Sequence, residues 1–316
     1  MRILLTGASS FTGTWFATEL AAAGHDVTCT LTRPRNAYDG LRRQRVERVA
    51  ERARLVDATR FGDDSFLELC RDQPWDVLCH HAADVTNYKG DDFDVAAALA
   101  NNTRNVDAVL AALSGNGCRG LVATGSVFEP GEGAGSDSLP AFSPYGLSKA
   151  LSWQMLTYYA DRHGMSAAKL VIPNPFGPLE EPRFTHYLVK TWARGEAAGV
   201  NTPAYVRDNI HVGLLARAYV RFVESVVEQG APAKLKPSGY IETQGAFAQR
   251  FAVEMRPRLG LACELELASQ RDFPEPRIRI NTDPLDPAEY GWDENAAWDA
   301  IAEHYRRTLS MGAPQA

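Results

Sequence analysis

The chain has 316 residues, 45% hydrophobic and 23% charged, with 33 Lys and Arg against 39 Asp and Glu for a formal net charge of −6. That length builds one large or two modest globular units, and the composition excludes long disorder and a general nucleic-acid surface. No apolar stretch approaches the roughly 20 residues that span a bilayer, no basic head precedes an apolar core, and the five cysteines form no CxxC pair. The expectation is a cytoplasmic protein with no membrane partner, disulfide framework or metal cluster.

The apolar run Arg2-Ile3-Leu4-Leu5 opens the chain as a strand. Helix is predicted over 14–23, strand over 25–31, helix from 40 into a short strand at 54–56, helix over 64–70 and strand over 76–80. One helix over 93–113, a strand over 120–124, a loop over 129–144, a helix over 148–163 and a strand over 168–172 follow. Short apolar strands alternating with amphipathic crossovers predict an α/β fold with a mostly parallel sheet and helices on both faces. Beyond Pro173 the rhythm loosens, with helices over 185–194, 213–229, 245–259 and 294–308 divided by prolines. Residues 1–172 are therefore expected to form a nucleotide-binding domain. Residues 173–316 are expected to form a smaller mixed α/β substrate lobe, interleaved with it through a strand and helix near 205–230.

Ligands collect at the carboxyl ends of such strands. The stretch TGASSFTG, residues 6–13, stands at the first of them, and its Gly7-to-Gly13 spacing supplies a tight turn and helix-start amides for a pyrophosphate. Gly7, Ser9, Ser10, Phe11, Thr12 and Gly13 are the candidate contacts. Ser10 stands where the usual fingerprint has glycine, and its hydroxyl has two readings: a donor to phosphate or an ordinary helix cap. After the second strand no acid is present to receive ribose hydroxyls. Thr32 and Arg33 instead suit a 2′-phosphate, so NADP(H) is preferred and NAD(H) is the alternative, with a solvated loop arginine as the other reading of Arg33. Asp57 and Ala58 follow the third strand, where Asp57 can accept from the adenine amino group. His81, Ala82 and Ala83 follow the fourth strand, and Asn102 and Pro173 complete the cofactor set.

In SPYGLSKAL, residues 143–151, Tyr145 and Lys149 share one face if the helix includes this segment. The lysine charge stabilises a tyrosinate and holds a nicotinamide ribose, and the tyrosine transfers a proton while the cofactor transfers hydride. Thr124, closing the preceding strand, is placed to polarise the same reacting oxygen. A core tyrosine, a solvated lysine and a self-satisfied threonine are the alternatives.

With TGASSFTG, Asp57, HHAA at 80–83, Asn102, Thr124, YGLSK at 145–149, NPFGP at 174–178 and VRDNIHV at 206–212 in this order, the chain resembles the extended short-chain dehydrogenase/reductase family. It is most similar to the nucleotide-sugar epimerases, dehydratases and ketoreductases of that family. The resemblance implies a Rossmann-type domain, a nucleotide-sugar substrate and a homodimer. It places Asn174 on the substrate side of the cleft and Arg207 on the sugar-nucleotide diphosphate. Thr124 and Ser126 at the strand end, and Arg183 in the loop over 180–183, are the other candidate substrate contacts. TGSV at 124–127 lacks the acidic residues that 4,6-dehydratases carry after their threonine, which argues against dehydration. The expectation is an NADPH-dependent ketoreductase acting on a nucleotide-linked keto sugar at C4. The alternatives are a nucleotide-sugar 4-epimerase with tightly held NAD(P) and a catalytically inactive regulatory or scaffold protein that binds dinucleotide.

Overall fold

The computed structural model describes residues 1–88, 90, 92–134, 141–229 and 234–311, so the loop predicted over 129–144 lies partly outside the described residues. The chain divides into two compact units: Met1–Gly133, Asp137–Ile172 and Ala216–Pro237 form the first, and Ala134–Ser136, Pro173–Leu215 and Ser238–Ala316 the second. Its elements in order begin β1 (Arg2–Thr6), α1 (Phe11–Ala22), β2 (Asp26–Thr30), α2 (Gly40–Ala50), β3 (Arg54–Val56), α3 (Asp64–Asp72), β4 (Val77–His80), α4 (Val95–Asn102) and α5 (Val106–Gly115). They continue with β5 (Gly120–Ser126), α6 (Pro144–Arg162), β6 (Ser166–Ile172), β7 (Asn174–Phe176), α7 (Phe184–Trp192), β8 (Ala198–Val200), β9 (Val206–His211), α8 (Val212–Gln229) and β10 (Lys234–Leu235). The remainder are β11 (Pro237–Ser238), β12 (Tyr240–Thr243), α9 (Gln244–Leu259), β13 (Leu265–Leu267), β14 (Ile278–Arg279), β15 (Asp283–Pro284) and α10 (Glu294–Met311).

In the first unit seven strands run in the order β10-β6-β5-β4-β1-β2-β3, and every pairing between neighbours is parallel. β4 and β5 are buried along their whole lengths, as a sheet covered on both faces requires. Phe66, Leu110, Leu113 and Leu156 from α3, α5 and α6 pack with Leu78 and Leu121 of the sheet into one apolar cluster. Phe16 of α1 stacks on Tyr219 of α8, with centroids 3.9 Å apart. The order places the ends of β1, β4 and β5 side by side, which is what assembles a site there.

Two expectations change. The helix predicted over 93–113 is two helices, because Asn105 adopts a left-handed φ of 48° and its side-chain Nδ2 donates to the Gly62 carbonyl at 2.8 Å. The helix predicted from 148 starts at Pro144, with Ser143 as its cap accepting from the Gly146 amide and proline in the first turn, where it needs no donor.

The second unit is mixed. β12 runs antiparallel to β9, whereas β7 and β14 run parallel to it, and β8 pairs with β13. Its core gathers Phe176, Trp192, Phe247, Phe251, Met255 and Trp298. Among the described residues no helix is long and apolar enough to cross a membrane.

Candidate active site

The turn after β1 is built around two glycines with separate reasons. Gly7 has φ +80°, and a Cβ there would lie 2.8 Å from the Ala82 amide nitrogen, so β1 and the segment after β4 approach backbone to backbone. A Cβ on Gly13 would meet the Gly7 carbonyl at 2.2 Å and both the His81 ring and the Ser10 hydroxyl at 2.8 Å. Ser10 needs no glycine: its φ of −82° is ordinary, and it caps α1. Its hydroxyl accepts from the Gly13 amide at 3.1 Å and donates to the Gly7 carbonyl at 2.9 Å. That answers the two readings in favour of the cap, because the single hydroxyl proton is already placed. Ser9 precedes the cap, and Phe11 and Thr12 begin the helix whose first amides face the turn.

Two adjacent histidines carry the link from β1 to β5. His80 Nε2 donates to the Asn102 carbonyl at 3.0 Å, while the Thr6 hydroxyl stands 3.0 Å from Nδ1 and accepts from the His81 and Ala82 amides at 3.1 and 3.0 Å. Burial pushes His80 down to about 4. His81 Nε2 lies 3.0 Å from Ser10 Oγ and 3.1 Å from Thr12 Oγ1, and its Nδ1 lies 2.9 Å from Thr124 Oγ1. Burial, then the Lys149 charge, pushes His81 down to about 3, so both rings are neutral near pH 7. The sequence reading placed His81 among the cofactor contacts without foreseeing that it joins the phosphate turn to Thr124. Asn102 is held within the fold, accepting from the Asp84 amide at 2.7 Å and donating to Ser152 at 3.2 Å. Ala83 continues the segment after His81 and Ala82, whose amide closes on Thr6.

Tyr145 and Lys149 lie one turn apart on α6, and a Cβ on the intervening Gly146 would meet the Phe128 carbonyl at 1.9 Å, so this first turn rests flush on the chain leaving β5. Tyr145 meets the rings of Tyr88 and Phe93 edge-on, at 5.6 and 6.0 Å. Lys149 is buried and lines a small cavity with Thr124, His80, Asn102, Glu129 and Lys169. Burial pushes its ammonium down to about 8 against the opposing pull of Glu129, which leaves it mainly charged at pH 7.

Beside this cavity lies a charge cluster that motif reading missed. Lys169, in the middle of β6, reaches Glu129 at 2.7 Å and Glu132 at 2.9 Å, and Lys234 reaches Glu132 at 2.6 Å. Both carboxylates and Lys169 are 5% exposed or less. Glu129 also accepts from the Ser126 amide at 2.7 Å, and a Cβ on Gly125 would meet Glu129 at 2.7 Å and the Lys169 stem at 2.8 Å. Burial would raise Glu132, but the bonds from Lys234 and Lys169 outweigh it and hold the acid below its ordinary value. The available signal was a lysine inside the apolar strand SAAKLVI, which demands a buried carboxylate.

At the end of β2, Arg33 is exposed and stacks over the Tyr38 ring with its guanidinium 4.6 Å from the centroid, while Thr32 lies 3.5 Å from the Tyr38 hydroxyl. Asp57 is gripped by Arg35 at 3.1 and 3.2 Å, so the acid expected to meet adenine already has a guanidinium partner, and Ala58 beside it takes a left-handed φ of 49°. In the second unit, whose main segment starts at Pro173, Asn174 on β7 pairs with Asn209 of β9, and Arg183 is an exposed residue at the start of α7. The Arg207 guanidinium is buried and donates to the carbonyls of Val206, Pro276 and Arg277 at 2.9 to 3.2 Å and to Glu275 at 3.0 Å. Its fork is thus engaged within its own unit, and its neighbour Asp208 accepts from the Gly239 and Asn281 amides. Among the described residues, no group of three or more His, Cys, Asp and Glu side chains is arranged to hold a metal ion.

A sequence profile described as the NAD dependent epimerase/dehydratase family matches residues 3–235. The UDP-glucose 4-epimerase of Mycolicibacterium smegmatis is 26% identical over 239 residues, 70% of this chain and 72% of that protein. The solved UDP-glucuronic acid 4-epimerase of Bacillus cereus in complex with NAD superposes with a TM-score of 0.73 at 17% identity, over 100% of this chain and 99% of that one. The UDP-glucose-4-epimerase of Stenotrophomonas maltophila, with bound NAD and formylated UDP-arabinopyranose, gives 0.72 at 20%, over 99% and 100%. These findings overturn the preference for NADP(H): the matching profile is NAD dependent, and the similar structures hold NAD. The physical reason is local, since Arg33 is an exposed side chain stacked on Tyr38, the solvated-loop reading of that residue.

Proposed function

Since the chain belongs to the NAD dependent epimerase/dehydratase family and is an NAD(P)-dependent oxidoreductase or epimerase, we propose that it is a nucleotide-sugar 4-epimerase that retains NAD. The ketoreductase reading gives way to this alternative because it rested on NADP(H). The observation that carries the proposal is the meeting, within one unit, of a phosphate-type turn, Thr124 and the buried Lys149 one helical turn from Tyr145. The 4-epimerase named among the relatives supports the reaction class.

The residues fit the dinucleotide. Gly7 and Gly13 let the end of β1, the first turn of α1 and the segment after β4 approach backbone to backbone, the close turn at a helix start that a pyrophosphate requires. Ser9, Phe11 and Thr12 belong to that turn, Thr32 and Arg33 border the adenosine side, and Ala82 and Ala83 let the ring pass close to the backbone. When bound, NAD would supply the hydride acceptor and donor that oxidation and re-reduction of the sugar carbon require.

Tyr145 takes the proton of the sugar hydroxyl as the hydride leaves and gives it back on return. Lys149, charged and enclosed, lowers the cost of the phenolate, an effect that grows as water is excluded. Thr124 holds the reacting oxygen in line, Ser126 continues the same strand end, and Glu129 balances the positive charge around Lys149. On the substrate side the proposal assigns Asn174, Arg183 and Arg207, with Arg207 supplying positive charge from a fork already held by carbonyls. A homodimer and a cytoplasmic location belong to the same reading.

The test is incubation of the purified protein with UDP-glucose, UDP-galactose and UDP-N-acetylglucosamine, followed by chromatography of the sugars and mass analysis of nucleotide released on denaturation. Interconversion with co-purified NAD and no net change in nicotinamide absorbance supports the proposal. Net consumption of a reduced nicotinamide with a 4-keto sugar would sink it.

A further inference from the structure

We propose that His81 is a positioning residue for Thr124: its Nδ1 accepts the Thr124 hydroxyl proton, so Thr124 turns lone pairs, not a proton, toward the reacting oxygen. The consequence for that oxygen rests on the reading of Thr124 given above; the hydrogen-bond direction does not.

The direction follows from counting protons around one ring. Ser10 has a single hydroxyl proton, donated to the Gly7 carbonyl at 2.9 Å, while Ser10 Oγ itself accepts from the Gly13 amide at 3.1 Å. Toward His81 Nε2, 3.0 Å away, Ser10 therefore offers only a lone pair. A hydrogen bond exists there only if Nε2 carries the ring proton, which Thr12 Oγ1 shares at 3.1 Å. In a neutral imidazole, Nδ1 is then an acceptor, and the Thr124 hydroxyl at 2.9 Å must donate to it. The opposite tautomer would leave Thr12 as the one donor to Nε2 and set the Ser10 lone pair against that of Nε2 at 3.0 Å. An imidazolium is disfavoured by burial and by Lys149 and His80 beside it. His80 follows the same rule, since the Asn102 carbonyl can only accept from its Nε2.

The geometry also accounts for two residues of the turn. Ser10, where a glycine is usual, supplies the oxygen that selects the tautomer. Gly13 is bare because the His81 ring occupies the space a side chain would need. For catalysis, Thr124 can then accept from the sugar hydroxyl only until Tyr145 takes that proton, and Tyr145 is left as the proton donor to the keto oxygen. This reverses the expectation that Thr124 polarises the carbonyl by donation.

The test needs no substrate. Long-range proton–nitrogen spectra of histidine-labelled protein, with the His81 signals assigned through His81→Gln, should show Nε2 protonated and Nδ1 bearing a lone pair. In Thr124→Val the Nδ1 resonance should move toward that of a lone pair without a donor. A protonated Nδ1, or an Nδ1 unmoved in Thr124→Val, overturns the proposal whatever the protein catalyses. With UDP-galactose as probe, His81→Asn, which retains an acceptor toward Thr124, should turn over on the order of tenfold faster than His81→Gln, which faces Ser10 and Thr12. That difference should vanish in a Thr124→Val background. A Gln variant as fast as the Asn variant, or a difference that persists without the Thr124 hydroxyl, overturns the orienting role. Absence of epimerisation by the wild type counts against the functional reading and leaves the spectroscopic outcome decisive for the hydrogen bond.

Discussion

Replacing Lys169 with methionine removes the cation that two carboxylates share in the interior of the first unit. Lys169 stands 2.7 Å from Glu129 and 2.9 Å from Glu132, with the lysine 5% exposed and the acids 1% and 3%. Lys234 still holds Glu132 at 2.6 Å, so Glu129 bears the main loss, keeping the Ser126 amide at 2.7 Å and the attraction of the Lys149 charge. Breaking a buried pair from one side costs about 3–5 kcal/mol, because the remaining charge is left without water or a direct ion pair. In a unit of this size that lowers Tm by roughly 6–20 °C. The pH dependence has a definite sign. In the wild type Glu132 is held below its ordinary 4.5, so its contribution is present above that value and is lost as pH falls through the lowered one. The variant lacks the share of that stability which Lys169 gives Glu132, so the gap between the proteins should be full above 4.5 and narrow as pH falls through the lowered value. Glu129→Gln added to Lys169→Met should recover part of the loss. Urea unfolding followed by circular dichroism between about pH 3 and 8 measures this. A cost under about 1 kcal/mol at pH 7, or a gap that widens in acid, would refute the account of a closely coupled buried network.

Tyr145→Phe should bind NAD as the wild type does yet lose turnover by on the order of 10²–10⁴-fold, checked by nucleotide content and product chromatography. Glu129→Gln removes the charge that supports the Lys149 ammonium, so the value near 8 should fall and activity should be lost at lower pH as pH rises; a pH–rate profile with an unmoved alkaline limb would contradict this. Gly13→Ala drives a methyl to 2.2 Å from the Gly7 carbonyl and into His81, and should cost at least about 1–3 kcal/mol and co-purified NAD together. Thermal unfolding and nucleotide analysis of the same preparation read both. Arg33→Ala should leave NAD binding within about fivefold, since an exposed arginine stacked on a ring contributes about 0.5–1 kcal/mol at most.

The parallel sheet, the glycine turn and the Tyr145–Lys149 spacing were legible in the chain because each is a local pattern: period, punctuation, or two residues on one helical face. The start of α6 was misplaced by four residues, although Ser143-Pro144 is itself a cap signal, because a proline in the first turn reads as a breaker until its position is known. The break at Asn105 was hidden, since it is secured by the Gly62 carbonyl 43 residues away. Cofactor choice was misread from Arg33, whose offset from β2 is right but whose side chain rests on Tyr38.

What the amino-acid order determined by itself is where backbone can turn and which side chains share a face, as at Gly7, Gly13 and Tyr145-x-x-x-Lys149. Only the tertiary structure decided what Ser10 is for. Its hydroxyl proton goes to a carbonyl three residues back, and its lone pair meets a histidine 71 residues on that also touches Thr124. Such a network comes into being when the ends of β1, β4 and β5 are brought side by side, and the direction of each hydrogen bond depends on all the partners present at once.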